Sequence, residues 1–293
     1  MTGQMTGSAT VPHFSIVTTC KGRLEHLRQS LPIFLAQPGA EVIVVDYDCP
    51  QKTRDVVARD FPAARVVALD DAPIFNLARA RNLGAAAATG EWLAFIDADI
   101  LLVPDFADRI AKLREPGQFH HFKITTRDTV SAHGSCLVRQ ADFAAIEGYD
   151  EVVDGYGAED QDFYFRLTLA GVKEEALDFS LIAKIIRHDN ATRVEFGRHG
   201  SLLKHQRVNS AYLLVKNSLL RQLGATGLSE DQRRQLYGLV RDVIAQANEN
   251  LDAPIHFTIE LPQDPGFMPI PAWRTKRHLV FDLTPSELFD PDA

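Results

Sequence analysis

The segment 92–99, Trp-Leu-Ala-Phe-Ile-Asp-Ala-Asp, joins a short apolar run directly to two carboxylates. A short apolar run between polar residues is typical of a central strand of an α/β sheet. Alternate residues of a strand face the same side, so we expect Asp97 and Asp99 to point the same way at the carboxyl end, where such sheets bind ligands. Like charges this close repel unless a cation or donor separates them, and carboxylate oxygens suit Mg²⁺ or Mn²⁺. A solvated turn at the end of a strand is the alternative.

Strand-like and helix-like segments alternate through the first two thirds of the chain. The apolar patterns predict strands at 14–19, 41–46 and 65–69, and helices at 24–35, 53–61 and 76–88. This alternation predicts an α/β fold with a mostly parallel sheet flanked by helices. The pattern changes after Pro116, where we predict strands at 119–125, 135–138 and 179–186 and helices at 141–147 and 160–170.

The C-terminal third has a different pattern. Residues 201–250 are largely helical by periodicity, and Ser229-Glu230-Asp231-Gln232 has the form of a capping box that begins one helix. Residues 251–293 contain seven of the fifteen prolines and predict an irregular arm. We therefore expect a flexible N-terminus at 1–12, an α/β domain at 13–200, and a helical extension with its arm at 201–293 packed on that domain.

Composition excludes several classes of protein. The 293 residues carry a formal net charge of −8, which argues against nucleic-acid binding through a basic surface. The three cysteines are widely spaced and form no Cys-x-x-Cys pair, so neither a zinc site nor a disulfide framework is indicated, and reduced thiols predict a cytoplasmic protein. Residues 1–12 show no signal-peptide pattern, and no apolar run is long enough for a transmembrane segment. Peripheral membrane contact stays open.

Four motifs in order carry a family resemblance. They are Ser-Ile-Val-Thr-Thr-Cys-Lys-Gly-Arg at 15–23, Val-Val-Asp-Tyr-Asp at 44–48, Asn-Leu-Ala-Arg-Ala-Arg-Asn-Leu-Gly at 76–84, and the Asp-x-Asp segment at 97–99. Over about residues 13 to 190 the chain resembles nucleotide-sugar-dependent glycosyltransferases of the GT-A fold, a Rossmann-like sheet. The resemblance implies that the nucleotide contacts Thr18, Thr19, Arg23, Asp46, Asp48, Arg81, Asp97 and Arg187.

A second pair of motifs indicates one group of enzymes within that fold. Gly-Tyr-Gly-Ala-Glu-Asp-Gln-Asp at 155–162 resembles the Gly-Trp-Gly-Gly-Glu-Asp-Asp-Asp motif of the β-1,4-galactosyltransferase group, and Ile-Ile-Arg-His at 185–188 resembles its Met-Ile-Arg-His. The resemblance implies that Asp160 is the general base, that Glu159 orients the acceptor or the donor sugar, and that Asp99 and His188 hold the metal, with Asp97 as a weaker candidate ligand. Both acids of the first motif begin a predicted helix, so a capping role competes with the catalytic one.

The chain departs from the pattern of that group at several positions. Tyr156 replaces the tryptophan, Gln161 replaces an aspartate, and Ile185 replaces the methionine. Tyr156 in place of tryptophan changes the ring that would stack against the donor or the acceptor. The last removes a soft ligand, so Asp99 and His188 would share the metal with the diphosphate and water.

The resemblance predicts a metal-dependent inverting glycosyltransferase that uses Mn²⁺ or Mg²⁺. The expected donor is a UDP-sugar (UDP-Gal, UDP-GalNAc or UDP-GlcNAc), and the expected acceptor is a hydroxyl of a glycan or glycoconjugate. Segment 190–200 is a candidate lid over the donor. The alternatives are a retaining enzyme of the same fold and a catalytically silent nucleotide-sugar-binding protein.

Overall fold

The computed structural model describes residues 13–125, 131–187, 195–197, 201–247, 253–261 and 276–284. These residues form eleven strands: β1 (Phe14–Cys20), β2 (Ala40–Tyr47), β3 (Arg65–Leu69), β4 (Trp92–Phe95), β5 (Ile100–Leu102), β6 (Gln118–His121), β7 (Cys136–Arg139), β8 (Lys173–Ala176), β9 (Ile182–Ile185), β10 (Ile255–Leu261) and β11 (Arg277–Leu283). They also form eight α-helices: α1 (Leu24–Leu35), α2 (Thr53–Asp60), α3 (Leu77–Ala87), α4 (Phe106–Ala111), α5 (Gln140–Ala145), α6 (Glu159–Leu169), α7 (Leu202–Leu223) and α8 (Glu230–Ala247).

A seven-stranded sheet forms the centre of the fold, with the strand order β3-β2-β1-β4-β7-β6-β8. The first four strands in this order are parallel, β7 runs antiparallel to both of its neighbours, and β6 is parallel to β8. The predicted α/β fold with a mostly parallel sheet is therefore confirmed.

The sheet is buried on both faces, which explains why its central strands are continuous apolar runs. In β1, Ile16 packs into a core cluster with residues of α1, while the next residue, Val17, packs into a second cluster with residues of α3. Gly84 lets α3 approach the sheet closely, since a Cβ there would lie 2.3 Å from Val17 Cγ1 and 3.0 Å from Val45 Cγ2.

The strand predicted through Asp99 is shorter than expected. β4 ends at Phe95, and Asp97 and Asp99 lie in the turn between β4 and β5. The expectation that strand alternation aligns the two carboxylates is therefore wrong, and the turn places them instead. β5 then pairs antiparallel with β9, so that Ile100 faces Ile185.

Other elements agree closely with their predicted bounds or differ for a local reason. Helix α1 and strand β3 have the predicted bounds. The strand predicted at 179–186 begins with a 3-10 turn, Phe179–Leu181, because the Asp178 side chain accepts from Ser180 N–H and caps that turn.

The C-terminal elements share a core of their own. Helices α7 and α8 pack with the two-stranded antiparallel ribbon β10–β11, and Val152 and Val153 from the segment before α6 pack into the same cluster. An irregular arm was predicted here, but its two apolar runs pair with each other, and Phe257 stacks on Phe281 across the ribbon. Within the described residues, no helix combines the length and the apolar character needed to cross a bilayer.

Candidate active site

A cavity of about 380 Å³ lies beyond the carboxyl ends of β1 and β4. The segment before α6 and one side of α7 form its other walls. Seven of the predicted site residues line it: Thr19, Arg23, Arg81, Asp97, Asp99, Glu159 and Asp160. The structure thus brings the Asp-x-Asp turn and the Glu-Asp pair, which are far apart in sequence, to one site.

Arg81 is a buried cation of this site. It projects from α3, a helix whose N-terminus is capped by the Asn76 side chain accepting from Arg79 N–H. Arg81 Nη2 donates to Asp97 Oδ1 at 3.0 Å, and Nη1 lies 3.5 Å from Glu159 Oε1. Its guanidinium lies 5.1 Å from the centre of the Tyr149 ring. Arg81 therefore joins the two acidic motifs, a contact that the sequence pattern alone did not predict.

Asp97 and Asp99 have different surroundings in their turn. Burial raises the pKa of the Asp97 carboxyl, the Arg81 charge opposes that rise, and the nearby charge of Asp99 adds to it. The backbone carbonyl of Asp99 accepts from Ile186 N–H at 2.8 Å. This bond brings the segment that leads to His188 next to the turn, although His188 itself lies outside the described residues.

The residues around Asp99 suit a divalent cation that is shared with a phosphate ligand. The described part of the chain holds no group of three His, Cys, Asp or Glu side chains able to enclose a metal ion by themselves. Asp97 is engaged by Arg81, and Asp99 lines the same cavity. Mg²⁺ is commonly held by one or two carboxylates together with substrate phosphates, without a cage made only of protein. This donor set fits that arrangement.

Glu159 and Asp160 begin α6 after a left-handed residue, Ala158, with φ 73°. Glu159 is buried, and burial, with the neighbouring Asp160 charge, raises the pKa of its carboxyl to about 7 despite the opposing charge of Arg81. Asp160 is more accessible, with 16% of its side chain exposed, and its Oδ2 lies 3.8 Å from His133 Nε2. Both acids line the cavity, and Asp160 is the more exposed of the two, since 11% of the Glu159 side chain is exposed.

No sequence motif gives His133 a role, but the structure places it on the cavity wall. Its Nδ1 lies 2.9 Å from the carbonyl oxygen of Phe122, which fixes that nitrogen as the donor and leaves Nε2 toward Asp160. The carbonyl of His133 accepts from the Tyr164 hydroxyl at 2.7 Å. At the next residue, Gly134, a Cβ would lie 2.8 Å from Arg81 Nη2, so a side chain there would force the guanidinium to shift.

The opposite end of the cavity is formed around Lys21, which the prediction also omitted. Its buried Nζ donates to three backbone carbonyls, those of Tyr47, Asp48 and Ala72, at 2.8 to 3.1 Å. The Phe196 ring lies 5.4 Å from Nζ and covers Gly22, where a Cβ would lie 2.3 Å from Phe196 Cε2. Lys21 and Phe196 therefore close this end.

Four predicted nucleotide contacts lie away from the cavity wall: Thr18, Asp46, Asp48 and Arg187. Thr18 faces the opposite side of β1 from Thr19 and is buried. Asp46 accepts from Cys49 N–H at 2.8 Å and from Arg54 N–H at 2.7 Å, so it holds the turn after β2 and the start of α2. Asp48 accepts from Ala72 N–H at 3.2 Å and supports Lys21 at 3.6 Å. The structure thus shows both acids supporting the backbone or Lys21, and their contact with a nucleotide stays a prediction.

Comparisons with known proteins agree with this geometry. Residues 15–121 match the family described as Glycosyl transferase family 2, and residues 118–190 match the family described as N-terminal domain of galactosyltransferase. The chain is a GT-A glycosyltransferase.

Solved structures of low sequence identity have the same fold as this glycosyltransferase. One is a mannosyltransferase, PcManGT from Pyrobaculum calidifontis, in complex with GDP-Man and Mn²⁺ (TM-score 0.54, 15% identity, 82% of this chain and 77% of that chain). Another is S. aureus TarS 1–349 (TM-score 0.52, 17% identity, 76% of this chain and 69% of that chain). The same TarS fragment in complex with UDP has a TM-score of 0.50 at 16% identity, covering 80% of this chain and 72% of that chain. No curated protein matches the chain by sequence.

Helix α7 of the glycosyltransferase contributes residues that no motif pointed to. His205 and Asn209 contact the backbone of the segment before α6, and Gln206 and Ser210 line the cavity. Because α7 follows the matched regions in the chain, only its packing in the folded protein shows that it belongs to the site.

Proposed function

We propose that this glycosyltransferase transfers a hexose or N-acetylhexosamine from a UDP-sugar to a hydroxyl of a glycan or glycoconjugate, with a divalent cation and with inversion at the anomeric carbon. One observation carries the proposal: Asp99 and Asp160 line the same cavity, where Arg81 bridges Asp97 to Glu159. A candidate metal ligand and a candidate base thus face one reaction volume.

Asp99 would hold the cation together with the donor diphosphate, and His188 is the proposed second ligand. A bound Mn²⁺ or Mg²⁺ would stabilise the negative charge that grows on the leaving diphosphate. Arg81 keeps Asp97 and Glu159 in place, since its guanidinium contacts both carboxylates. Arg23 and Thr19, at the Lys21 end, are the described groups that would meet the nucleotide.

Asp160 is the proposed general base, because it is the more accessible acid of its motif. It would take the proton of the acceptor hydroxyl as that oxygen attacks the anomeric carbon. A single base opposite the leaving group gives inversion, so an α-linked donor would yield a β-glycoside. His133 Nε2 lies 3.8 Å from Asp160 Oδ2 on the wall of the same cavity.

The choice of UDP rests on the family resemblance. On the same fold, the TarS structure contains UDP and the mannosyltransferase structure contains GDP-Man with Mn²⁺, so the nucleotide has to be measured. We also propose that residues 13–200 form the catalytic domain and that 201–293 form an extension of it. The proposal includes a cytoplasmic location, supported by three cysteines that are free and buried.

Calorimetry with UDP, GDP and CMP, each with and without Mn²⁺, tests the nucleotide and the metal together. We expect UDP to bind most tightly and its affinity to fall in chelator. Asp99→Asn should remove the Mn²⁺ dependence, whereas the matched control Asp105→Asn, at an exposed position before α4, should not. Equal binding of the three nucleotides, or full affinity in chelator, contradicts the proposal. Product NMR then reports the anomeric configuration, and retention would reject the inverting reaction.

A further inference from the structure

One side-chain amide of helix α7 contacts the segment 154–158, which precedes the acidic pair of the active site, at three backbone carbonyls. Asn209 is fully buried, and its Nδ2 contacts three backbone carbonyls: those of Asp154 at 3.0 Å, Tyr156 at 3.2 Å and Gly157 at 3.1 Å. An amide has only two N–H donors, so these carbonyls share them. The carbonyl oxygen of the same amide accepts from the Tyr237 hydroxyl at 2.9 Å, which fixes the orientation of the amide from α8.

The segment held in this way has an unusual backbone conformation. Gly155, Gly157 and Ala158 all have positive φ, at 77°, 94° and 73°. An alanine in the left-handed region is strained, and such strain persists only where the surroundings impose the conformation. Glu159 and Asp160 follow directly, so the position of both carboxylates depends on what holds 154–158.

Two further contacts from α7 support the same segment. His205 Nδ1 accepts from Tyr156 N–H at 3.3 Å, and a Cβ on Gly155 would lie 2.4 Å from that nitrogen, so the ring packs directly on the backbone. Lys216, two turns further along α7, pairs with Asp150 before the segment and with Asp162 after it. Lys216 thus anchors both ends of the segment, and Asn209 fixes its middle.

From this geometry we infer that Asn209 is a positioning residue for the transfer reaction, acting through the backbone of 154–158 to hold Asp160 and Glu159 against the cavity. The inference rests on the proposed function of those acids. Asn209 does not touch the nucleotide end of the cavity, which is formed around Lys21 and Phe196. Its loss should therefore slow the chemical step and leave nucleotide binding unchanged.

Asn209→Leu is the principal test, since leucine has a similar size but leaves the three carbonyls without their donor. Displacement of a reacting group by about 1 Å can cost about a hundredfold in rate, so we expect kcat for Mn²⁺-dependent UDP-sugar hydrolysis to fall ten- to a hundredfold, with the Kd for UDP unchanged. Tyr237→Phe, which removes the hydroxyl that donates to the Asn209 amide oxygen, should cause a smaller fall. Ser218→Ala is the matched control, because that hydroxyl donates to the Leu214 carbonyl of its own helix.

Hydrogen exchange separates positioning from a general loss of stability. In Asn209→Leu, amide exchange should speed up in 154–162 while the amides of β1 and β2 keep their protection. Wild-type kcat in a folded Asn209→Leu protein, or faster exchange spread evenly over the sheet, would overturn the inference. If Asn209→Leu does not fold, Tyr237→Phe becomes the test. Unchanged kcat together with unchanged amide exchange in 154–162 of Tyr237→Phe would then overturn the inference. A wild-type protein that hydrolyses no donor would instead refute the proposed function.

Discussion

Single residues in this glycosyltransferase owe their roles to what their side chains contact. Asp97 and Asp160 are both carboxylates of one cavity, yet Arg81 engages the first and the second lies toward His133. Glu159 is more deeply buried than Asp160, which raises its pKa to about 7. The same chemical group therefore serves as an anchor in one position and as a candidate base in another.

Asp160→Asn should lower turnover by about 10²- to 10⁴-fold, the usual contribution of a general base. Asparagine keeps the oxygen that accepts from Gln161 N–H at 2.7 Å, so the melting temperature should stay close to wild type. Steady-state kinetics, UDP calorimetry and a thermal melt on one preparation distinguish the roles. Near-normal turnover with a much lower melting temperature would make Asp160 a structural residue.

Gly134→Ala should disturb the Arg81–Asp97 pair while leaving both residues in the sequence, because the new Cβ would lie 2.8 Å from Arg81 Nη2 and 3.4 Å from Asp97 Oδ2. We expect activity to fall at least tenfold and stability to drop by about 1–3 kcal/mol, the usual cost of overpacking. Gly227→Ala is the control, since its Cβ meets nothing within 4 Å. Equal activity in the two variants would show that the pair tolerates displacement.

Elements of the fold are held together by close contacts that only certain residues allow. Helix α3 carries Arg81 and lies against β1 and β2 through Gly84. Helix α7 carries Asn209 and holds the start of α6 through backbone carbonyls. The geometry of the site therefore depends on how α3 and α7, which are distant in the chain, pack against the segments that carry its acidic residues.

Two glycines in helices give opposite predictions for the same substitution. Gly84→Ala should destabilise the protein by about 1–3 kcal/mol, because its Cβ would lie 2.3 Å from Val17 Cγ1. Gly238→Ala, in α8 with nothing within 4 Å of the new Cβ, should stabilise it by about 0.5–1 kcal/mol through helix propensity. Urea unfolding of both variants measures the difference, and a shift of the same sign in both would contradict the packing argument.

At the scale of the whole molecule, a buried ionic network joins the sheet domain to the C-terminal helices. Asp150 is fully buried and contacts Lys216 at 2.6 Å, the Tyr212 hydroxyl at 2.7 Å and Arg233 at 3.0 Å. Asp162 pairs with Arg166 at 2.8 Å and also with Lys216. Helices α6, α7 and α8 therefore meet at a set of charges that is largely buried.

Removal of one member of this network should be strongly destabilising, because it leaves a buried charge without its partner. We expect Lys216→Met to lower the free energy of unfolding by about 3–5 kcal/mol at neutral pH. An exposed pair gives the matched control: Arg234→Met removes the partner of Glu230 at the start of α8 and should cost less than about 1 kcal/mol. A small effect for Lys216→Met would show that the helices hold together by apolar packing alone.

The same network predicts how stability depends on pH. Although burial opposes ionisation of Asp150, Lys216 and Arg233 lower the pKa of its carboxyl from 3.8 to about 2. Because the folded-state pKa lies below the unfolded one, the stabilisation is present above about pH 4 and is lost as the pH falls toward 2. Unfolding free energies across that range should fall less steeply in Asp150→Asn than in wild type. An identical slope would contradict the assignment.

The sequence by itself determined the local structure and the motifs. Periodicity is a property of neighbouring residues, so it correctly predicted the α/β alternation, with helix α1 and strand β3 at their observed bounds. It also indicated the two acidic motifs that line the cavity. It failed at Asp97–Asp99, where a turn replaces the end of the strand, because a short apolar run does not specify where strand pairing stops.

Only the tertiary structure decided the partners of these side chains. Asp46 was predicted to contact a nucleotide, yet the backbone of the turn after β2 and of α2 occupies both its oxygens. Arg81, Lys216 and Asn209 each join segments that are distant in the chain. Such contacts leave no local pattern, because each arises only when packing brings two separate elements to hydrogen-bonding distance, and so the role of α7 was visible only in the folded protein.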